Sequence, residues 1–181
     1  MSWLRGIAAF LAIAILANLA TVAALPRLIN AYAMHKIASA AGGTNRALAS
    51  PRPDASARTI VRLSPDLLYT ACVFDVSVQP LRITAPLPGS YASISGFAAN
   101  TDNFFAVNDA SVVAGPDGEK RLDVVLARSA DVEAPVDSRL VVAPSARGVI
   151  LFRLLITRDE DLPRLREYQA LQRCEPFSDA R

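Results

Sequence analysis

Histidine and cysteine are scarce in this sequence, and their scarcity excludes several kinds of chemistry. One His is present, His35, and it lies outside the part of the chain that resembles a folded domain. A Ser-His-Asp triad or a His-based metal centre therefore has almost nothing to be built from. The two cysteines, Cys72 and Cys174, are too few for a disulfide-dense scaffold and too far apart for a zinc ribbon. We predict no metal and no cofactor.

Lysine and aromatic residues are also rare, and the charges are unevenly spread. Of the 19 basic residues 17 are Arg, which is typical of a GC-rich bacterial genome, and the aromatic share is 7%. Residues 1–62 carry seven basic side chains and one acid, whereas residues 63–181 carry 12 basic and 16 acidic side chains. Nucleic-acid binding requires clustered cations with interleaved aromatics, so we expect no nucleic-acid partner.

Charge is missing altogether from residues 6–25, near the start of the chain. Twenty uncharged residues are enough for a helix to cross a hydrocarbon core of about 30 Å, so we expect this segment to contact membrane lipid. A cleaved signal peptide is the alternative, because Thr21, Ala23 and Ala24 resemble a cleavage site. Apolar regions of signal peptides usually run about 7–15 residues, which favours an uncleaved anchor over residues 1–25.

The next segment, residues 26–57, is predicted to be a juxtamembrane helix followed by a linker. Residues 27–41 have an approximately helical apolar stripe, which either extends the membrane helix past Pro26 or lies along the membrane surface. Residues 42–57 are rich in Gly, Pro and Ser, as linkers are. The basic residues that follow the apolar segment weakly favour a cytoplasmic domain by the positive-inside rule.

Residues 58–181 are predicted to form a β-rich globular domain. Short apolar or alternating runs separated by turn residues predict eight strands, at 59–63, 67–78, 80–85, 90–98, 103–107, 121–127, 138–142 and 148–157. Residues 160–174 have an apolar residue at every third position, which predicts a closing helix with Cys174 on its apolar face. The predicted fold is α+β: an N-terminal transmembrane helix, an antiparallel β-sandwich-like domain and a C-terminal helix packed on the sheet.

A series of short motifs in this domain resembles a known bacterial family. In chain order the motifs are Asp66-Leu67-Leu68-Tyr69, Asp75-Val76-Ser77 with Pro80, Tyr91-Ala92-Ser93, Asn100-Thr101-Asp102-Asn103-Phe104, and Asp161-Leu162-Pro163 with Leu171-Gln172. Their order over residues 58–176 is similar to that of the family called domain of unknown function 1254. One departure is Ser64-Pro65, which stands where the family usually has Asn-Arg.

This resemblance implies a mostly β domain in an exported or membrane-anchored setting. It thus implies a single-pass protein of the bacterial inner membrane with a periplasmic domain, against the weak local charge bias. Many relatives carry a second domain, domain of unknown function 1214, in the same chain. The resemblance therefore also implies a separate protein partner that carries this companion domain.

Two groups of polar residues are candidate binding residues. Asp66 and Tyr69 offer a carboxylate and a phenol suited to acid–base chemistry or ligand binding. The structural alternative, which we favour, is a turn in which Asp66 caps its own backbone beside a core tyrosine with a tethered hydroxyl. Asn100, Asp102 and Asn103 carry oxygens that suit Ca²⁺, but the spacing of a calcium loop is absent, and such clusters are common in turns.

The cysteine pair has two possible states. A Cys72–Cys174 disulfide would close a loop of about 100 residues and is expected only in an oxidising compartment. Alternatively, both thiols are buried and reduced, because free cysteines pack well as small apolar groups. The sequence leaves both states open.

The sequence supports two hypotheses for the function. The first is a membrane-anchored envelope protein whose domain is a binding or assembly module that works with the companion-domain partner. The alternative is a small-molecule enzyme with a pocket at the strand ends, lined by Asp66, Tyr69 and the loop of residues 100–103. No motif names a substrate or a reaction.

Overall fold

Two helices and nine strands make up the computed structural model, which describes residues 2–58, 62–112 and 120–178. The helices are α1 (Ser2–Ala41) and α2 (Leu162–Ala170). The strands are β1 (Ala47–Ala49), β2 (Leu67–Asp75), β3 (Leu81–Pro86), β4 (Ala92–Ala98), β5 (Asn103–Asn108), β6 (Arg121–Ala127), β7 (Arg139–Val142), β8 (Arg147–Leu155) and β9 (Arg173–Pro176). Single 3₁₀ turns lie at Asp109–Ser111 and Asp159–Asp161.

The strands form two sheets. The larger sheet has the order β1-β2-β8-β4-β5, and the smaller sheet has the order β7-β6-β3-β9. Neighbouring strands are antiparallel except β6 and β7, which pair in parallel. The predicted β-rich α+β fold, with its long apolar N-terminal helix and its C-terminal helix, is confirmed.

The core lies between the two sheets. Burial alternates along β3 and β8, as expected for strands with one face inward. The inner faces contribute mainly aliphatic and aromatic side chains, including Phe74, Leu81, Ile83, Ile94, Leu126, Ile150 and Phe152. Each such side chain contributes about 1.5–3 kcal/mol when it is fully buried, so this layer supplies most of the driving force for folding.

Most of the predicted strands are present with shifted ends, and one falls partly outside the described residues. The strand predicted at 59–63 includes residues 59–61, which lie outside the described ranges. The segment predicted as a linker contributes β1, which pairs with β2. Alanine is a weak strand former, so local sequence did not reveal β1. Asn45 fixes its position, because the Asn45 amide donates to the Asp75 carbonyl and accepts from the Asp75 N–H.

Helix α1 is continuous over 40 residues and includes Pro26. Its first part is exposed, and from Asn30 onward it meets the larger sheet, where Ala33 is buried. The sequence left open whether residues 27–41 extend the apolar helix, and in the structure they do.

The C-terminal segment differs from the prediction in one respect. Helix α2 ends at Ala170, and Cys174 lies in β9 rather than on the helix face. Leu171, predicted to face the core, is 53% exposed, whereas Gln169 is buried. The prediction was wrong because a strict three-residue spacing drifts by about 60° per step around a helix of 3.6 residues per turn. Leu165 still packs α2 against Leu68 and Leu154 of the larger sheet.

Candidate binding groove on the larger sheet

The two predicted groups of site residues lie at opposite ends of the larger sheet. Asp66 immediately precedes β2, and the turn of residues 99–102 follows β4. Both β2 and β4 pair with β8, which lies between them. At one end of the sheet, Leu68 and Ala92 are both in register with Leu154. At the other end, Phe74 and Ala98 are both in register with Gly148. Six residues of strand separate these levels, which is about 20 Å at 3.3 Å per residue. The structure therefore does not bring Asp66 together with residues 100–103.

The turn before β2 is stabilised by a serine. The Ser64 hydroxyl accepts the N–H of Asp66 at 3.3 Å, so Ser64 rather than Asp66 supplies the side-chain oxygen of the turn. The Tyr69 hydroxyl accepts the N–H of Ser64 at 3.1 Å, and Tyr69 is 7% exposed. The Asp66 carboxylate is exposed. These contacts give Ser64 and Tyr69 structural tasks.

The polar residues after β4 bond mainly to each other. The Asn100 amide donates to the Asp102 carboxylate at 2.6 Å, and the Asn100 side-chain oxygen accepts the Asp102 N–H. Thr101 has a positive φ of 79°, which the tight turn requires. Asn103 is exposed at the start of β5. The arrangement is a tight turn in which the Asn100 side-chain oxygen and Oδ2 of Asp102 accept hydrogen bonds from within the turn.

Cys72 and Cys174 are joined by a disulfide that connects the two sheets. Cys72 is on the inner face of β2 and Cys174 is on β9, and both are buried. The bond lies within the main core, not in the outer groove described below. Its redox state in the cell stays a prediction.

A groove lies on the outer face of the larger sheet, beside the end of α1. We call it the outer groove; it encloses about 640 Å³. Its floor is formed by the outward side chains of β1, β2, β4 and β8, and α1 and the segment after β1 form its walls. The floor consists of Leu48, Tyr69, Ala71, Phe97, Val149 and Leu151, and the walls include Asn30, Ala33, Ile37 and residues 50–54.

Asn30 holds α1 over this face of the sheet. Its amide nitrogen donates to the carbonyl oxygens of Ala98 and Ala99 at 3.1 Å and 3.0 Å. These carbonyls lie where β4 ends, and the Ala98 carbonyl also accepts the N–H of Thr101 at 2.9 Å in the turn that follows. Ala33 and Ile37 follow at helical spacing and line the outer groove. The docked part of α1 is thus both a wall of the groove and a continuation of the apolar helix.

A cationic side chain lies beside the groove floor. Arg153 is two residues after Leu151 on the same face of β8, and its Nη1 donates to the Ser95 hydroxyl at 3.1 Å. Ser95 pairs with Leu151 in register, so the guanidinium reaches toward the level of the groove floor. Among the residues that the structure describes, no carboxylate forms a salt bridge with Arg153. Ser93, opposite Arg153 on β4, is 4% exposed.

A salt bridge between Arg52 and Asp159, at 2.7 Å, lies at the groove wall. Two further charged pairs are structural. Partial burial raises the pKa of Asp75, but hydrogen bonds from Ser77 and then from Arg147 outweigh it, so the pKa lies below its ordinary value. Arg82 on β3 binds Asp123 on β6 through two hydrogen bonds, which together raise the pKa of Arg82. Both pairs connect adjacent strands, and neither borders the outer groove.

Sequence reasoning missed the outer groove and Arg153. The available signal was Arg153 itself, a charged residue within the otherwise apolar run of residues 149–155. That signal does not identify neighbours, because Ser95 and Leu151 meet Arg153 only through strand pairing. Of the predicted site residues, Tyr69 lines the groove, with Thr101 from the predicted loop.

Together, these features define a two-sheet domain of the α+β class attached to a long apolar helix. Two solved structures share this fold. The VPA0106 protein of Vibrio parahaemolyticus is similar with a TM-score of 0.52 at 17% identity, over 66% of this chain and 33% of that one. An uncharacterized protein of Burkholderia cenocepacia is similar with a TM-score of 0.50 at 18% identity, over 69% and 35%. The chain therefore spans about a third of the length of each.

The family follows from the sequence match. Residues 44–176 match the family described as Protein of unknown function (DUF1254), and the chain belongs to that family. The predicted family is thereby confirmed. None of the curated proteins is similar enough to this chain to count as a match.

Proposed function

We propose that this protein is anchored in the bacterial inner membrane by α1, and that its β-rich domain is a periplasmic binding or assembly module. The observation that carries the proposal is the continuity of α1. The helix is apolar and exposed in its first part, and it is docked on the domain by Asn30 and Ala33 in its last part. In this proposal one continuous helix connects the membrane to the outer groove.

The length of α1 is sufficient both to cross a membrane and to dock on the domain. Residues 6–25 are sufficient for about 30 Å of hydrocarbon, and the docked residues begin five positions later. The exposed side chains of this segment include Phe10, Leu16 and Leu19, which water solvates poorly. A membrane around residues 6–25 removes this apolar surface from water. A signal sequence passes the same test of length and composition, so processing has to be measured.

The disulfide supports the periplasmic side. Disulfides persist in oxidising compartments such as the bacterial periplasm and are rare in the cytosol. Cys72 and Cys174 are both buried in the core and are bonded to each other there. This argument opposes the basic residues after the apolar segment, which weakly favour the cytoplasm.

The partner part of the proposal is supported by the solved relatives. This fold makes up about a third of each of those chains, so there it is one part of a larger protein. We propose that a protein carrying the companion domain, named above from the family resemblance, binds this module. Co-purification from detergent-solubilised membranes tests this, and a chain that always elutes as a monomer alone contradicts it.

The enzymatic alternative has less support. It requires Asp66, Tyr69 and residues 100–103 to line one pocket at the strand ends. Asp66 and Asn100 are at opposite ends of the larger sheet, and the Tyr69 hydroxyl accepts a backbone N–H. A binding role needs no such convergence, so we retain it as the proposed function.

Topology is the decisive test of this proposal. Two fusions to the C-terminus are compared, one to a reporter that is active only outside the cytoplasm and one to a reporter active only inside. We expect the first to be active. The mass of the purified chain then distinguishes an intact anchor from a cleaved signal peptide. Activity of the cytoplasmic reporter alone would contradict the proposal.

A further inference from the structure

The floor of the outer groove is largely apolar, and the one polar group among its named side chains is the Tyr69 hydroxyl, which accepts the N–H of Ser64. Ala71, Phe97, Val149 and Leu151 are apolar, and the Asn30 amide already donates to two carbonyls. A ligand group buried on this floor must itself be apolar, since an unpaired polar group would lose its hydration without compensation. The volume of about 640 Å³ lies within the range of about 300–1,000 Å³ that is usual for small-molecule sites.

The chemistry changes at the Arg153 end of the floor. The guanidinium has five N–H donors, and within the described part of the chain the Ser95 hydroxyl is the acceptor that it binds. The neighbouring Ser93 hydroxyl is buried and has no hydrogen-bond partner among the described residues. Buried hydroxyls are nearly always hydrogen-bonded, so this pair of observations indicates a missing polar group. An anionic group with several acceptor oxygens fits an Arg with open donors. A carboxylate and a phosphate are both groups of this kind.

The groove also lies close to the membrane if α1 is an anchor. Asn30 is five residues beyond the end of the apolar segment, which is about 7.5 Å along a helix at 1.5 Å per residue. Ala33 and Ile37 extend the same helix along the groove wall. An amphiphile that leaves the membrane surface therefore has a short path to the groove.

We propose that the outer groove binds a single-chain amphiphile with an anionic head, drawn from the membrane. Its alkyl chain lies on the floor formed by Ala71, Phe97, Val149 and Leu151, and its carboxylate or phosphate head binds Arg153 beside Ser93. This inference goes beyond the proposed function and relies on it only for the membrane as the source of the ligand.

The test uses the full chain in lipid nanodiscs made of a zwitterionic phospholipid. The probe is hexadecanoic acid with a photoreactive diazirine near its methyl end, and the labelled residues are mapped by mass spectrometry. We expect label on Phe97, Val149 or Leu151 in addition to residues 6–25, which contact the surrounding lipid. Label confined to residues 6–25 would overturn the proposal.

Variants separate the head site from the floor. Arg153→Gln is expected to lower the groove label about tenfold or more, because hydrogen bonds to a charged group are strong. The label on residues 6–25 stays constant and serves as an internal control. Arg166→Gln, on the exposed side of α2, is the matched control and should change nothing. Unchanged groove label in Arg153→Gln would overturn the assignment of the head site.

Further arms distinguish the possible sources of binding. Ala71→Phe keeps Arg153 but fills the floor of the groove, so it should also remove the groove label. This variant tests the proposal independently if Arg153→Gln does not fold. The uncharged alcohol of the same chain length should label the groove weakly, and equal labelling would remove the role of Arg153. Complete competition by inorganic phosphate alone would overturn the lipid assignment in favour of a soluble anion. Nanodiscs expose both sides of the membrane, so the labelling result does not depend on which side the domain occupies in the cell. A missing groove label therefore contradicts the ligand proposal and not the proposed topology.

Discussion

Cys72 and Cys174 are 102 positions apart in the chain, yet their Cα atoms lie 6.5 Å apart and their sulfurs are bonded. The bond crosses the core from β2 of the larger sheet to β9 of the smaller sheet. Within the described ranges β9 pairs with β3 alone, so it is an edge strand of four residues. The disulfide therefore connects this edge strand, near the end of the described residues, to the larger sheet.

Reduction of this bond is expected to destabilise the domain. By loop entropy, a bridge that closes a loop of this length contributes about 4–5 kcal/mol, mainly by restricting the unfolded chain. We expect a reductant to lower the thermal midpoint by several degrees, as measured by circular dichroism. The Cys72→Ala/Cys174→Ala variant is the control, because a reductant should not change its midpoint. A wild-type midpoint that is insensitive to the reductant would support two buried thiols instead.

Asn30→Ala is expected to loosen α1 from the domain. The variant removes the donor of the Ala99 carbonyl and one of the two donors of the Ala98 carbonyl, which still accepts the N–H of Thr101, so we expect a cost of about 1 kcal/mol. Hydrogen exchange should accelerate in the last three turns of α1 and remain unchanged in β6 of the smaller sheet. Ser39→Ala, at an exposed position of the same helix, is the matched control. Equal exchange in both variants would show that Asn30 does not hold the helix.

Gly148→Ala is expected to prevent proper packing of the larger sheet. A Cβ at this position would overlap the backbone carbonyl oxygen of Phe97 and the ring of Phe74. Backbone atoms cannot yield as a flexible side chain can, so we expect a loss of about 3 kcal/mol or more. Gly6→Ala, where no atom lies within 4 Å of the new Cβ, should be neutral. The yield of folded protein and its thermal midpoint measure both effects, and a stable Gly148→Ala variant would contradict the register of β8.

Asp75→Asn is expected to reduce stability at neutral pH but not in acid. The pKa of Asp75 is lowered in the folded protein, so its stabilisation is fully present above the unfolded pKa of about 4. That stabilisation is lost as the pH falls through the folded pKa. The pair with Arg147 is largely exposed on the arginine side, so we expect only about 1 kcal/mol at pH 7.

Urea unfolding at pH 7 and at an acidic pH below the folded pKa of Asp75 measures this difference. The two proteins should converge at the lower pH, because Asp75 is then protonated and resembles the asparagine. A difference that persists in acid would instead indicate that shape, rather than charge, determines the stability at this position. Asp66→Asn is a useful control, since the Asp66 side chain is exposed.

The sequence predictions were accurate where a structure depends on local interactions and inaccurate where it depends on residues distant in the chain. Strands β6 and β8 were located closely, because their alternating or apolar patterns are local signals. Strand β1 was missed, since its position depends on the Asn45–Asp75 contacts rather than on the strand propensity of its three residues, two of which are alanine. The end of α2 was misplaced because continuation as β9 is favoured by pairing with β3, which is distant in sequence.

The candidate site was less predictable than the fold. Asp66 and Asn100 were chosen for their chemistry, but chain order does not specify which strand ends face each other. Tyr69 was identified as a residue of interest, and the structure places it both on the groove floor and in a backbone hydrogen bond. Arg153 acquires its significance only from Ser93 and Ser95, which reach it through pairing of β4 with β8.

The sequence by itself determined the apolar N-terminal helix, the β-rich class and the family, because each depends on composition, short-range periodicity or the order of motifs. Only the tertiary structure decided the outer groove, the position of Arg153 beside its floor and the meeting of Cys72 with Cys174. The physical reason is that these features are products of strand register and sheet packing. A shift of register by one residue would turn every side chain of β8 to the opposite face, and the groove would lose both Leu151 and Arg153.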